Sequence, residues 1–265
     1  MDRTLSHSPR IAVIGSGNVA THLAKAVTRA GYKLSIYNHR CESASRLASA
    51  VGATAVADLD ALDADIYIIA IKDDAIASLA ASVAGRKGLW LHTSGSVDMK
   101  VFDGVVDSYG VLYPMQTFSK DADVDMTEVP FFIEGCNGDV TRAIRELASS
   151  LSHKVLEVSS ANRVKLHIAA VFACNFTNYM WAQSADILES IGADFSVMHP
   201  LIKATLDKTL TMSPHDGQTG PARRGDVDII KKHLSMLSGV KHKLYETLST
   251  DIMNEYHHNL TDHQS

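Results

Sequence analysis

Hydrophobic and polar positions alternate in a regular way along the first part of the chain. Short, nearly continuous apolar runs predict strands buried on both faces, and the segments between them have the spacing of amphipathic helices. The predicted strands cover residues 11–14, 33–37, 53–56, 65–71, 89–92, 109–113, 131–134 and 154–158. The predicted helices cover residues 18–30, 42–51, 74–83 and 140–151. This order is typical of an α/β domain with a doubly wound, mostly parallel sheet.

The pattern becomes purely helical after residue 159. Helices are predicted over residues 163–190, 194–212, 226–237 and 240–256, with an irregular segment at 213–225. We therefore expect two domains, an α/β domain at residues 1–159 and an all-helical domain at residues 160–265. A helical part of this size has little core of its own, so we expect it to form a homodimer.

Composition narrows the class of protein. Of the 265 residues, 46% are hydrophobic, and the formal net charge is −5. This mild acidity argues against a nucleic-acid groove or a basic membrane surface, and no apolar run approaches the ~20 residues that cross a bilayer. The three cysteines lack Cys-x-x-Cys spacing, which favours a reducing compartment. We expect a cytoplasmic protein that binds neither nucleic acid nor membrane.

A glycine-rich turn follows the first predicted strand and opens the first predicted helix. Its residues are Gly15, Ser16, Gly17, Asn18, Val19 and Ala20. They match the dinucleotide-binding pattern G-x-G-x-x-G/A in the strand–turn–helix context that gives the pattern meaning. Gly15 permits the tight turn, Gly17 lets the backbone approach a pyrophosphate, and Ala20 keeps the helix close to the strand. We predict that residues 15–19 bind a dinucleotide and that the first domain is of Rossmann type.

The end of the second predicted strand indicates which dinucleotide is bound. An NAD site usually has an acidic residue there, about 20 residues after the glycines, whereas this chain has Asn38, His39 and Arg40. Because an arginine can bind a 2′-phosphate with several donors, we predict that these residues bind NADP, with NADPH preferred over NADH. The alternative is that Arg40 is a solvated surface residue at the start of the next helix.

Two later strand ends supply further candidates, because ligands bind at the carboxyl ends of strands in an open α/β sheet. Ile71 and Lys72 are predicted to border the adenosine or ribose of the cofactor. The alternative for this segment is a simple helix start with Asp73 or Asp74 as its cap. Tyr113, which ends another strand, can supply a catalytic phenol to the same crevice.

Small hydroxyl residues and a glycine follow the strand at 89–92. Thr93 and Ser94 are predicted to contact the cofactor near the nicotinamide. Ser94 and Gly95 are predicted to contact the substrate, because small residues allow close approach. The alternative is a plain turn.

Polar residues interrupt an apolar part of the long helix predicted over 163–190. His167, Asn175 and Asn178 share one face at 3.6 residues per turn. His167 is the best candidate for a general acid, because imidazole transfers protons near neutral pH. Asn175 at the catalytic centre and Asn178 at the substrate would orient a carbonyl or carboxylate. The alternative is that these are satisfied polar residues of the core.

The irregular segment at 213–225 adds positive charge. Asp226 is predicted to cap the helix that follows, which leaves Arg223 and Arg224 free for other roles. Arg224 is predicted to bind a substrate carboxylate in its own or the partner subunit's site, and the alternative is that both arginines are solvated. No metal site is expected, because His257, His258 and His263 lie near the end of the chain without a suitable carboxylate spacing.

The second predicted strand and its end, Ile36-Tyr37-Asn38-His39-Arg40, resemble the 6-phosphogluconate dehydrogenase-like superfamily. Its members include β-hydroxyacid dehydrogenases, pyrroline-5-carboxylate reductases and deazaflavin-dependent NADP oxidoreductases. Residues 92–96, 112–118 and 219–226 resemble a bacterial group of NADP oxidoreductases whose substrate is unassigned. This resemblance spans the whole chain. It implies a Rossmann domain followed by a helical domain that often forms the dimer.

One family pattern is missing. β-Hydroxyacid dehydrogenases carry a catalytic lysine in a Lys-x-x-Asn-Asn pattern on the long interdomain helix, but Lys165 here is followed by Leu-His-Ile-Ala. The sequence therefore predicts an NADP-dependent oxidoreductase that transfers a hydride between NADP(H) and a carbonyl or imine of a small, carboxylate-bearing substrate. Whether a deazaflavin takes part stays open. The alternative is an NADP-binding sensor or scaffold without catalysis.

Overall fold

The computed structural model describes residues 8–257, and its first part is built on one eight-stranded sheet. The strands are β1 (Ile11–Ile14), β2 (Leu34–Tyr37), β3 (Thr54–Val56), β4 (Ile66–Ile69), β5 (Leu89–His92), β6 (Ser108–Pro114), β7 (Phe131–Gly135) and β8 (Val155–Glu157). Their spatial order is β3-β2-β1-β4-β5-β6-β7-β8. The first six strands have the order of a dinucleotide-binding Rossmann sheet.

The predicted α/β class is confirmed, and the sheet is mostly parallel as expected. All pairs from β3 to β6 are parallel. β7 pairs antiparallel with β6, and β8 pairs parallel with β7. The antiparallel β7 is reached through residues 115–130, which include a short 3₁₀ helix, Met126–Glu128. Phe118 of that segment contacts the glycine-rich turn, and Ser119 contacts the helix that follows the turn, as described below.

Four helices cover the sheet at nearly the predicted positions. They are α1 (Asn18–Arg29), α2 (Cys41–Val51), α3 (Asp73–Ser82) and α4 (Gly138–Leu151). Every residue of β1, β4 and β5 is buried, as a sheet covered on both faces requires. The apolar residues of this part fall into two main core clusters, one of which contains Val13 and Leu91 and the other Ile14 and Trp90.

The chain becomes helical where the pattern changes, between the end of β8 and Ser160. The later helices are α5 (Ser160–Ala170), α6 (Thr177–Glu189), α7 (His199–Thr211), α8 (Pro221–Arg224), α9 (Val227–Met236) and α10 (Gly239–His257). The short α8 lies in the segment that was expected to be irregular. No helix within residues 8–257 is long and apolar enough to cross a membrane.

The long helix predicted over 163–190 differs from the expectation in its middle. Between α5 and α6 the residues Val171–Phe176 form a π-helix, whose turns hold more residues because the hydrogen bonds run from i to i+5. A constant 3.6 residues per turn therefore does not describe this stretch. π-Helical turns within α-helices occur frequently at functional sites.

The chain divides into two compact units, with the boundary between Asn175 and Phe176. The first unit thus takes in α5 and most of the π-helix beyond the predicted domain boundary at residue 159. The second unit contains α6 to α10. Many large apolar side chains of this second unit are exposed, among them Ile191, Leu201, Leu210 and Met236.

Of two expected helix caps, the one at Asp73 or Asp74 is wrong and the one at Asp226 is right in position only. Lys72 occupies the N-cap position of α3, and Asp73 and Asp74 lie in the first turn, where acidic side chains favour the positive end of the helix dipole. Asp226 occupies the N-cap position of α9 but caps no backbone amide. Its carboxylate pairs instead with Arg224, at 2.7 Å from Nη2.

Candidate active site at the carboxyl edge of the sheet

The glycine-rich turn has the geometry that its sequence predicts. Gly15 has a φ of +127°, and a Cβ there would lie 2.2 Å from the carbonyl oxygen of Ala70. This glycine is required by the protein's own packing, where the ends of β1 and β4 meet. Ala20 is fully buried against the sheet.

Gly17 is different, and it provides a test of whether a dinucleotide fits. Its φ is −78°, at the N-cap position of α1, and a Cβ added there would meet nothing within 4 Å. Packing within the chain therefore does not require a glycine at this position. A glycine that is free of internal demands at an exposed helix N-terminus suits close approach of a phosphate, which the backbone amides there can bind.

The other predicted phosphate-side residues surround this turn. Ser16 and Val19 are half-buried, and Val19 packs on the core. Ile71 lies next to Gly15, since its Cγ2 would be 3.3 Å from a Cβ on that glycine. Lys72 is exposed. These residues lie together at the point where the crossovers from β1 diverge, which is where dinucleotides bind in this class of sheet.

A segment that the sequence analysis did not single out for this role contacts the same turn. The Asn18 side chain donates from Nδ2 to the carbonyl oxygen of Phe118 at 2.8 Å. The buried His22 ring lies 2.8 Å from the carbonyl oxygen of Ser119 through Nε2 and stacks on Phe118. Asn18 therefore has a structural role in addition to its predicted cofactor role. A histidine on the buried face of α1 was the signal that could have indicated this contact.

The residues predicted to bind the ribose and its 2′-phosphate lie at the end of β2. Asn38 is buried and donates to the carbonyl oxygen of Arg40 at 3.4 Å. His39 and Arg40 are exposed. The Arg40 guanidinium forms no hydrogen bond or ion pair with any residue from 8 to 257. Its exposure fits both alternatives, a solvated surface arginine and a donor for a 2′-phosphate.

The segment after β5 is an ordered turn with most of its amides occupied. Thr93 donates through Oγ1 to Ile69. The Ser94 hydroxyl oxygen accepts from the amides of Ser96 and Val97, each at 3.0 Å. The Ser94 hydroxyl thus stabilises the turn, which is the structural role that the alternative of a plain turn implies. The buried Gly95 amide has no hydrogen-bond partner within the described part of the chain.

His92, the last residue of β5, supports this turn from below. It is fully buried, and its Nδ1 accepts from the Ser94 amide at 3.2 Å. Burial, which is the largest cause, and the nearby charge of Arg163 together lower the pKa of His92 to about 3, with partial opposition from Asp98. His92 is therefore neutral at physiological pH and acts as an acceptor.

Two of the predicted catalytic residues meet directly. The Tyr113 hydroxyl lies 3.1 Å from His167 Nδ1, which joins the end of β6 to α5. A Cβ on Gly95 would lie 2.8 Å from the His167 ring, so the imidazole rests directly on this glycine. Burial raises the pKa of the Tyr113 hydroxyl, and Arg163 partly opposes that rise. The tyrosine therefore keeps its proton at neutral pH, and the tautomer of the imidazole decides whether the hydroxyl donates to Nδ1 or accepts from it.

Three predicted residues are not brought into this cluster by any contact. Asn175 is exposed at the end of the first unit, and Asn178 is exposed in the second. Arg224 is paired with Asp226. Its neighbour Arg223 lies over the Tyr256 ring at 4.3 Å. Both arginines therefore have partners within the second unit, which the sequence analysis did not predict.

No group of three potential metal ligands occurs within residues 8–257. His257, one of the tail histidines, lies 3.0 Å from the carbonyl oxygen of Arg223 through Nε2. His258 and His263 lie outside the described residues.

These features define a Rossmann-type dinucleotide-binding protein with a polar cluster at the carboxyl edge of its sheet. Residues 10–91 match a family model described as NADP oxidoreductase, coenzyme F420-dependent. Residues 129–252 match a domain of unknown function, DUF2520. No curated protein matches the chain in sequence.

Solved structures confirm the predicted resemblance. The chain is 43% identical to a protein from Bacteroides fragilis named putative NADP oxidoreductase, over 93% of this chain and 98% of that one, with a TM-score of 0.87. It belongs to the same family of NAD(P)-dependent oxidoreductases.

Two more distant structures share the fold. An imine reductase from Myxococcus stipitatus, solved with NADP⁺, is 16% identical over 96% of this chain and 95% of that one, with a TM-score of 0.66. A 1-pyrroline-5-carboxylate reductase from Streptococcus pyogenes is 13% identical over 94% and 98% of the two chains, with a TM-score of 0.65.

Proposed function

We propose that this protein is an NADPH-dependent reductase of a small, carboxylate-bearing imine or carbonyl compound. In this proposal His167, hydrogen-bonded to Tyr113, donates the proton to the substrate. The observation that carries the proposal is the hydrogen bond between these two side chains over Gly95. It lies at the carboxyl edge of a sheet whose glycine-rich turn suits a dinucleotide.

The turn at Gly15 and Gly17 and the N-terminus of α1 would hold the cofactor phosphates, and Arg40 would bind the 2′-phosphate. The Arg40 guanidinium has no partner among residues 8–257 and so is available to a 2′-phosphate, which only NADPH carries. When bound, NADPH supplies the hydride. A deazaflavin as hydride acceptor is one member of the substrate panel below.

The proton that completes the reduction would come from a side chain of this protein. Reduction adds a hydride to the carbon of C=N or C=O, and the electron pair of the broken π bond goes to nitrogen or oxygen, which then takes a proton. The hydrogen bond between the Tyr113 hydroxyl and Nδ1 holds the ring and leaves Nε2 available to a substrate. In the protonated ring both nitrogens carry hydrogens, so Nδ1 donates to the Tyr113 oxygen while Nε2 gives its proton to the substrate. The neutral ring that results keeps its hydrogen on Nδ1 and its hydrogen bond to the tyrosine oxygen.

Further donors would position the substrate. The unpartnered Gly95 amide is a free donor beside the imidazole, suited to a carbonyl or carboxylate oxygen. Ser94 can still donate its hydroxyl hydrogen. Asn175, Asn178 and Arg224 stay predictions for the substrate carboxylate, and Arg224 would have to exchange Asp226 for that carboxylate.

We also propose that the protein is a cytoplasmic homodimer formed through the second unit. Large apolar side chains such as Leu210, Met236 and Ile191 are each more than 70% exposed, and contiguous exposed apolar surface marks interaction sites. The three cysteines are unpaired, as in a reducing compartment. Light scattering after gel filtration tests this: a mass of one chain at micromolar concentration would contradict it.

The test of function is an NADPH-oxidation assay over keto acids, cyclic imines with and without a carboxylate, and a deazaflavin. With an active substrate, we expect His167→Gln and Tyr113→Phe each to lower turnover by about 10²-fold or more while NADPH still binds. Tyr109→Phe is the matched control, because Tyr109 lies at the opposite end of β6 and bonds to Asp103. Tight NADPH binding with no turnover across the panel would instead favour the sensor or scaffold.

A further inference from the structure

Arg163 is a buried charged side chain to which neither the sequence analysis nor the proposed chemistry assigns a role. It is 1% exposed. Its Nη1 donates to Glu134 Oε2 at 2.7 Å, and its Nη2 donates to Ser160 Oγ at 3.1 Å. Burying a guanidinium is costly, and a buried ion pair often adds no net stability compared with apolar side chains. Stability alone therefore does not explain why this guanidinium is buried here.

The remaining hydrogen bonds of Arg163 go to the turn after β5. Its Nε donates to the carbonyl oxygen of Ser94 at 3.2 Å, and Nη2 donates to the carbonyl oxygen of Val97. These two carbonyl groups flank Gly95. The guanidinium thus binds both ends of the short backbone segment on which His167 rests.

Arg163 and His167 are also linked through α5. They are four residues apart and so lie on the same face of the helix, one turn from each other. The same helix therefore carries both the imidazole and the group that grips the backbone beneath it. Glu134, at the end of β7, fixes the helix start in turn, because it accepts from the Ser160 amide at 2.9 Å and hydroxyl at 2.6 Å.

The tightness of this contact makes its position sensitive. A Cβ on Gly95 would lie 2.8 Å from the imidazole, so little space separates the turn from the ring. If the turn moved away from α5, the ring could rotate and lose its bond to Tyr113. The free Gly95 amide would move with the turn.

We propose that Arg163 is a positioning residue for the reaction. It holds the Ser94–Val97 backbone against α5, so that His167 stays bonded to Tyr113 and the Gly95 amide stays beside the imidazole. This proposal rests on the proposed function, in which His167 transfers the proton.

The test compares Arg163→Lys, which keeps the charge but loses the planar fork, with Arg145→Met. Arg145 forms an exposed ion pair with Glu157 at 3.0 Å, so its loss removes an arginine pair away from the site. Nitrogen NMR of the His167 ring reports the bond to Nδ1 and needs no substrate. We expect the His167 nitrogen shifts to change in Arg163→Lys and to stay as in the unmodified protein in Arg145→Met.

Where an active substrate is available, turnover of Arg163→Lys should fall by about 10²-fold, as a misplacement near 1 Å can cause, with the KM for NADPH within about threefold. Unchanged His167 shifts in a folded Arg163→Lys protein would overturn the proposal, even if the protein melts at a lower temperature. If Arg163→Lys does not fold, Ser160→Ala removes one partner of the guanidinium and should move the same shifts in the same direction; no movement would overturn the proposal. Absence of turnover in the unmodified protein would refute the proposed function and leave the NMR result decisive for Arg163.

Discussion

His92 should make the stability of the first unit depend on pH. The ring is fully buried at the end of β5, and burial lowers its pKa from 6.5 to about 3. An unfolded chain binds a proton at this residue near pH 6.5, whereas the folded protein does not until far lower pH. Because the unfolded state then holds more protons, the contribution of His92 is fully present above about pH 6.5 and is lost as the pH falls.

The size of the effect at pH 5 does not depend on the exact folded value, because pH 5 lies well above it. Each unit of pH below 6.5 costs about 1.36 kcal/mol. Over the 1.5 units from 6.5 to 5.0, His92 should therefore cost about 2 kcal/mol of the free energy of unfolding. This range of pH is one in which globular proteins commonly remain folded, so the loss can be measured at equilibrium.

The assay is urea unfolding at pH 7 and pH 5, with His92→Gln as the variant. Glutamine does not titrate, and its amide oxygen can accept the Ser94 hydrogen bond. The protein has two tryptophans, so a Trp181→Phe background leaves Trp90, which is fully buried and stacked on Tyr67, as a reporter of the first unit.

Other titrating groups contribute equally to both proteins and cancel in the double difference. We expect the His92 protein to lose about 2 kcal/mol more than the variant between the two pH values. A difference below about 0.5 kcal/mol would show that the imidazolium is accommodated and that the reasoning from burial is wrong.

Two further predictions concern the cofactor. Gly15→Ala should destabilise the protein by about 2 kcal/mol or more, because Gly15 has a positive φ and a Cβ there would clash with Ala70. Gly17→Ala should keep the stability of the protein within about 0.5 kcal/mol and weaken NADPH binding. Thermal melting and NADPH titration distinguish the two variants, and unchanged NADPH affinity in Gly17→Ala would contradict the phosphate role. Arg40→Ala should lower NADPH affinity by about tenfold, as for one lost charge-assisted contact, and should leave NADH affinity unchanged. Arg46→Ala, on the exposed face of α2, is the control. Equal losses of affinity for both cofactors would contradict 2′-phosphate recognition.

The fold could be predicted because its signals are local. Apolar runs such as Ile11–Ile14 can satisfy burial on both faces only in a covered sheet, and glycines such as Gly52, with a φ of +71°, end helices by their own conformational freedom. The π-helix at Val171–Phe176 has no comparable signal. Its residues read as an ordinary helical stretch, and only the hydrogen-bond pattern distinguishes it.

The individual residues of the candidate site could be proposed from the sequence, but the contacts between them could not. Tyr113 and His167 were each identified by residue type and position, but they are 54 residues apart in sequence, and no spacing rule joins them. Arg163 carries no comparable signal in the sequence, because an arginine near a helix start is usually solvated. Its burial depends on Glu134 and on the turn after β5, which come together only in the folded sheet.

The role proposed for His167 on α5 would account for the absence of the lysine pattern of the β-hydroxyacid dehydrogenases. Residues two apart on a helix point to nearly opposite sides, whereas residues four apart share a face. Lys165 is exposed, while Arg163 and His167 face the turn after β5. Lys165 therefore lies on a different face of α5 from these two residues. In the proposed function the proton donor on α5 is therefore His167, and the role proposed for the arginine one turn earlier is to hold that face of the helix against the turn after β5.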